Sequence, residues 1–209
     1  MIFVVYTANE VDNKILLKQS KDLTNKKYTF LERKTYNKSL SENKRGDIVT
    51  TDDKNKPLSR LKSNETLYIV GHGDRANPKL SDLSPKELAD LVQAYGLNPR
   101  IKHLKISLVC CHSGHQINIS TPSYAQQFYS ALLNEIHEIH RHHMDKENSL
   151  LRVKAPKHVI GFGLFGKAVG LKPEQYQEYD KIKKQSPSQL DEWLHQNKSE
   201  LSKTDFNYF

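Results

Sequence analysis

The chain has 209 residues, 36% of them apolar, and 32 Lys and Arg against 24 Asp and Glu give it a net charge of +8. That length suits one good core, with room for an appended subdomain; the charges are interspersed, without a long basic run or an RNP-like aromatic motif, which argues against nucleic acid as the partner. No apolar run approaches membrane-spanning length, and the two cysteines are adjacent, a geometry that resists bridging, so there is no disulfide framework and a reducing compartment fits.

The start, Met1-Ile2-Phe3-Val4-Val5-Tyr6, lacks a basic n-region and a cleavage site, and reads as a first core strand over Ile2 to Ala8. Residues 9 to 65 are Lys/Asn/Asp-rich, with apolar islands at Ile15-Leu16-Leu17, Tyr28-Thr29-Phe30-Leu31 and Asp47-Ile48-Val49-Thr50. A peripheral hairpin and an irregular elaboration both fit that pattern. A second strand, Thr66 to Val70, runs into Gly71-His72-Gly73-Asp74. Ser84-Pro85-Lys86-Glu87 then offers a hydroxyl cap, a first-turn proline and a carboxylate three residues after the cap, followed by Leu88, Leu91 and Val92 at helical spacing. A third strand, Leu104 to Val109, ends in Cys110-Cys111-His112-Ser113-Gly114. Strand, helix and strand over this length make a right-handed crossover between parallel neighbours.

Thr121-Pro122 looks like another cap, for a helix reaching about Met144 with Ala125, Phe128, Leu132, Leu133, Ile136 and Ile139 on one face. Lys157 to Gly166 reads as a strand whose glycines at 161, 163 and 166 suggest a bend or a close approach. Beyond Leu171 the chain reads as helical, over Pro173 to Lys184 and again after the capping box Ser186-Pro187-Ser188-Gln189. The order is that of an α/β fold with a largely parallel central sheet flanked by helices. Residues 1–170 form the main domain, and 171–209 a helical extension packed on it.

Parallel strands point their carboxyl ends the same way, so His72 and Cys111 are expected on one edge of the sheet, where open α/β folds build their sites. A thiolate nucleophile needs a neighbour that lowers its pKa or relays its proton, and His72 can protonate an amine leaving group. The backbone N–H groups of Gly73 and Cys111 are candidate oxyanion donors. A Cβ at position 73 would crowd an approaching substrate carbonyl. Strand alternation sends the side chains of Cys110 and Cys111 opposite ways, so only one of them can face His72.

The pattern of an apolar strand, Gly-His-Gly, and then Ile-Ser-Leu-Val-x-Cys resembles the caspase-like clan CD of cysteine peptidases, nearest the self-processing protease domains of large bacterial toxins. The resemblance covers residues 66 to 113 and extends suggestively to Val159–Gly166. It implies a caspase-like three-layer fold and a thiol endopeptidase acting through a thioester acyl-enzyme. It assigns His72 as general acid/base, Gly73 as oxyanion donor and Cys111 as nucleophile, and puts Gly161, Phe162 and Gly163 where the clan binds substrate. Cys110 stands where those toxin domains usually have a small residue. The sequence Cys-His-Ser-Gly is not the caspase type, so the resemblance carries no specificity for aspartate. The implied partner is a protein or peptide substrate, and no cofactor is required for the chemistry. An inositol phosphate activator is also implied, with Lys154, Lys157, Lys167, Lys172, Lys181, Lys183 and Lys184 available to hold it. A bacterial protein acting in a cytoplasm follows, with non-Sec delivery into a host cell as an effector a further expectation.

Blander readings stand beside these. A buried cysteine is more often a small core hydrophobe than a nucleophile, and a catalytically silent module binding a protein or a phosphate-rich ligand would keep the same sheet. Asp74 is read as a turn residue, with orientation of His72 as the alternative. Cys110, Cys111, His112 and His115 lack the spaced pairs that zinc sites want, and His137, His140, His142 and His143 read as a mixed helix face. Gln116 and Ile117 stand where a tyrosine-phosphatase loop needs arginine. No phosphate loop and no Gly-x-Ser-x-Gly elbow is present.

Overall fold

The computed structural model describes residues 1–25, 47–73, 79–101, 103–114, 120–139, 151–157, 159–162, 168–171, 173–185, 187–197 and 206–208. Strands β1 (Ile2–Val4), β2 (Ile48–Thr50), β3 (Thr66–Val70), β4 (Lys105–Val109), β5 (Arg152–Pro156) and β8 (Phe206–Tyr208) make one sheet in the order β2-β1-β3-β4-β5-β8. The first five are parallel, and β8 runs antiparallel to β5. In register, Thr50, Val4, Val70 and Val109 form one row across β2, β1, β3 and β4. Everything that follows those four residues emerges at the same rim.

Helix α1 (Glu10–Asn25) follows β1, α2 (Pro85–Ala94) joins β3 to β4, and α3 (Tyr124–Ile139) joins β4 to β5. Strand alternation splits the apolar residues between two faces. Phe3, Val5, Leu67, Ile69, Ile106, Leu108 and Cys110 pack with Leu88, Ala89 and Val92 of α2 and with Ala125, Phe128 and Leu132 of α3. On the other face Ile2, Val4, Val70 and Val109 pack with Leu16 of α1. The result is the three-layer α/β arrangement expected, with helices on both faces of a parallel sheet.

The expected start of α2 is present in full: Ser84 Oγ accepts from Glu87 N–H at 3.3 Å, and Ser84 N–H donates to the Glu87 carboxylate at 2.7 Å. Its end is a glycine turn. Gly96 has φ +92°, and Leu97 N–H reaches back to the Val92 carbonyl. The cap of α3 is Ser123, whose Oγ accepts from Gln126 N–H at 3.2 Å, and so lies two residues beyond the expected Thr121. The expected C-terminal end of that helix, from 140 to Met144, lies outside the described residues.

Three elements differ from expectation. The polar stretch after β1 contains α1, which buries Leu16 and is capped by Asn9, whose side chain accepts from Val11 N–H at 2.9 Å. The last parallel strand of the sheet is Arg152–Pro156, because Val153 and Ala155 alternate inward there; the glycine-rich run expected to supply it instead forms β6 (Val159–Phe162), paired antiparallel with β7 (Ala168–Leu171) outside the main sheet. The expected helical C-terminal part contains α4 (Pro173–Gln185) and α5 (Pro187–Gln196), which bury Tyr179, Leu190 and Trp193 with Leu171 of β7, but it ends in strand β8. No helix among the described residues is long and apolar enough to cross a membrane. The island Tyr28–Leu31 lies outside the described residues.

Candidate active site

The site is built where β3 and β4 give out side by side. Gly71 N–H donates to the Val109 carbonyl, which carries the β3–β4 pairing one residue into the histidine turn. Beyond it the turns of His72 and of the cysteines lie against each other. A Cβ added at Gly73 would collide with the Cys111 carbonyl oxygen, stand 2.6 Å from Cys110 Sγ and 2.9 Å from the Cys111 carbonyl carbon. Protein packing by itself therefore requires the second glycine of Gly-His-Gly. The first glycine has a separate cause: a Cβ at Gly71 would stand 2.8 Å from Ser81 Oγ and 2.9 Å from Leu80 Cγ.

The two thiols have different surroundings. Cys110 is 2% exposed, belongs to the core under α2 and α3, and points its sulfur at the Cys111 carbonyl. Burial pushes its pKa well up, with the neighbouring Cys111 adding to the effect, so this thiol stays protonated. Cys111 is the next residue along, half-buried and outside that core. Neither cysteine forms a disulfide.

The loop after Cys111 is fastened at several points. His112 takes a left-handed φ of +58°. Ser113 is buried, with Oγ donating to the Cys110 carbonyl at 3.0 Å and its own carbonyl accepting from Ala125 N–H of α3. Gly114 N–H donates to Pro156 O at 2.8 Å, and a Cβ there would press on the backbone of Ala155 and Pro156. The cysteine turn is thus tied to both β5 and α3.

His72 is held from the other side. Its N–H donates to Ser81 Oγ at 3.1 Å, its carbonyl accepts from Ser81 N–H at 2.8 Å, and Ser81 Oγ donates in turn to the Val5 carbonyl at 2.7 Å. The imidazole is 42% exposed, yet Nε2 is shut off from solvent and makes no hydrogen bond among the described residues. It faces Asp12 Oδ1 of α1 at 3.8 Å, an ion-pair distance too long for a hydrogen bond. Asn13, the residue after Asp12, latches α1 to the end of β1: its side chain accepts from Thr7 N–H at 2.8 Å and donates to the Thr7 carbonyl at 2.9 Å.

Sequence reasoning missed Asp12 and Ser81. Asp12 lay in a stretch without a firm element, and Ser81 in a turn without a motif. Asp74, Gly163, Lys167, Lys172, His115, His140, His142 and His143 lie outside the described residues. Gly161 and Phe162 are in β6, opposite Val169 and Ala168 of β7.

A family model, the Peptidase C80 family, matches residues 11–155. That span begins beside Asp12, contains His72 and Cys111, and stops at the end of β5, before the β6–β7 hairpin. No curated protein matches the chain. With two turns meeting at the carboxyl rim of a five-stranded parallel sheet, and most of that sheet inside the matched span, the chain belongs to the Peptidase C80 family, a clan CD family of cysteine peptidases of toxin self-cleaving domains, and is a cysteine protease.

Proposed function

We propose that the chain is an endopeptidase whose nucleophile is Cys111 and whose general acid/base is His72. The observation that carries this reading is the seating of Gly73 against Cys110 Sγ and the Cys111 backbone, which leaves no room for even a methyl group between the two turns. Cys110 is a poor nucleophile, because burial keeps its proton on and its sulfur inside.

In this mechanism the Cys111 thiolate attacks the scissile carbonyl, forming a C–S bond as the carbonyl π electrons move to oxygen. The N–H groups of Gly73 and Cys111 receive that oxyanion. Collapse breaks the C–N bond, and His72 gives its proton to the departing amine, leaving a thioester. Water then loses a proton to His72 as it attacks, and the acid product and thiolate are released. With Nε2 turned to Asp12, Nδ1 is the nitrogen left for proton transfer.

The substrate is a protein or peptide, and action as an effector inside another cell belongs to the same proposal. So does an inositol phosphate activator, supported by the exposed Lys181 and Lys183 of α4; stabilisation in thermal shift with inositol phosphates tests it. A thiol-reactive peptidyl probe tests the dyad. Labelling that survives in Cys110→Ala and vanishes in Cys111→Ala is expected. Equal labelling of both variants overturns the assignment, and no labelling of the wild type favours a silent binding module.

A further inference from the structure

We infer that Ser81 is the positioning residue that fixes His72, and so determines how well the histidine serves the proposed dyad. The inference rests on the reading of His72 as general acid/base. Three hydrogen bonds carry it. Ser81 accepts from the N–H of His72 at 3.1 Å through Oγ, and its own N–H donates to the carbonyl of the same residue at 2.8 Å. Both peptide groups flanking the His72 Cα are thereby fixed, and with them the direction of the bond that carries the imidazole. The hydroxyl has one proton, and it goes to the Val5 carbonyl at 2.7 Å. Its donor and acceptor roles are both assigned, so it has no rotational freedom left to lose.

Val5 follows β1 directly, and the chain from there enters α1 with Asp12, the group that faces His72 Nε2. One hydroxyl therefore joins the mount of the ring to the mount of the carboxylate. This is also where β1 and β3 lie side by side, the point at which the 2-1-3-4-5 strand order changes direction and open α/β folds form their crevice.

The way Ser81 is itself held argues for a specific role. It is 5% exposed, and with Asp82 it makes a tight turn between Leu80 and Leu83, which exchange hydrogen bonds at 3.0 Å in both directions. Ser81 and Asp82 have φ +47° and +68°, the left-handed conformation that glycine and asparagine adopt at least cost. A residue chosen for the turn alone would be one of those. A serine there adds one thing to the turn, its hydroxyl. Gly71 completes the argument, since any Cβ at that position would stand 2.8 Å from the same Ser81 Oγ.

The test uses the full chain with Ser81→Gly and Ser81→Ala. Glycine suits the left-handed backbone but loses the Cβ with the hydroxyl, whereas alanine keeps the Cβ and loses the hydroxyl alone, so an effect common to both belongs to the hydroxyl. Both variants are expected to keep the far-UV circular dichroism of the wild type and to cleave a reporter peptide with kcat lowered by roughly 10- to 100-fold, the scale of a small misplacement of a reacting group, at nearly unchanged KM. The 15N signals of the His72 ring, assigned with a His72→Gln control, are expected to shift in both.

A wild-type kcat in folded Ser81→Gly overturns the inference. So does a fall in kcat that only tracks loss of folded protein in both variants. If the wild type cleaves nothing and Cys111 takes no probe, the dyad itself fails; the ring signals then decide, and unchanged signals in Ser81→Gly refute control of the His72 mount.

Discussion

Replacing Gly73 by alanine tests the contact on which the whole site depends. Gly73 has no left-handed φ, so the substitution carries no backbone penalty of its own, and its cost is collision alone. The added methyl would stand 2.6 Å from Cys110 Sγ and 2.9 Å from the Cys111 carbonyl carbon, against about 3.5–4.0 Å for a comfortable contact between carbons. Two of the three nearest atoms are backbone, and the third belongs to a sulfur enclosed by the α2–α3 core, so no side chain can swing aside. Overpacking of this kind costs about 1–3 kcal/mol, which in a chain of this size lowers Tm by roughly 2–4 °C for each kcal/mol. Relief of the collision moves the two turns apart, and a displacement approaching 1 Å costs on the order of 100-fold in rate. Differential scanning calorimetry and kcat/KM on a reporter peptide measure the two effects. An alanine variant with unchanged Tm and unchanged kcat/KM would show that the turns do not touch.

Four further outcomes are expected. Asp12→Asn leaves the protein folded and lowers kcat by less than about tenfold, because a pair as exposed as 42% and 38% is worth about 0.2–1 kcal/mol; a loss of several orders of magnitude in steady-state kinetics would make Asp12 an essential third member. Ser84→Ala removes the side-chain bond from Glu87 N–H to Ser84 Oγ while leaving the backbone N–H of residue 84 free to keep its bond to the Glu87 carboxylate, and costs about 0.5–2 kcal/mol in denaturant unfolding, with kcat unchanged. Folding stability falls as pH rises above about 8.5, where the unfolded Cys110 thiol gives up a proton. The folded state keeps that proton because burial raises the thiol's pKa, so urea titrations in the interval below tyrosine ionisation should show a downward slope that Cys110→Ala reduces. Alkylation of the native protein in the same interval, followed by peptide mapping, should modify Cys111 before Cys110.

The parts of the fold legible from sequence are those whose signal is local. Thr66–Val70 and Leu104–Val109 are apolar runs bounded by turn residues, and Ser84 to Glu87 spells out its own cap, so β3, α2 and β4 were readable together with the rim they share. Helix α1 was not, because among its described side chains Leu16 is the one buried apolar residue in a stretch otherwise rich in Lys, Asp and Asn, and one such residue does not make a periodic stripe. Strand β5 was hidden by a louder neighbour. Val153 and Ala155 alternate with Arg152 and Lys154 over five residues, whereas the run from Val159 is more apolar yet pairs only with β7. Asp12 and Ser81 act on His72 from 60 and 9 positions away. No spacing rule connects them to it; the tertiary fold alone does.

The distinction between the two cysteines follows from strand parity, and parity is set by the core. Along β4, Ile106, Leu108 and Cys110 belong to the α2–α3 cluster, while Val109 packs with Leu16 of α1. Along β3, Ile69 belongs to the first cluster and Val70 to the second. Two residues on from Val70 comes His72, and two on from Val109 comes Cys111, so both continue the face that α1 covers. The contact of His72 with Asp12 of α1 is the visible consequence. A shift of β4 by one residue would exchange the cysteines, but it would also turn Ile106 and Leu108 out of the core, and that burial fixes the register. Selection of the proposed nucleophile therefore needs no feature of the sulfur itself: the apolar side chains behind the strand decide which thiol is enclosed and protonated, and which one lies outside that core.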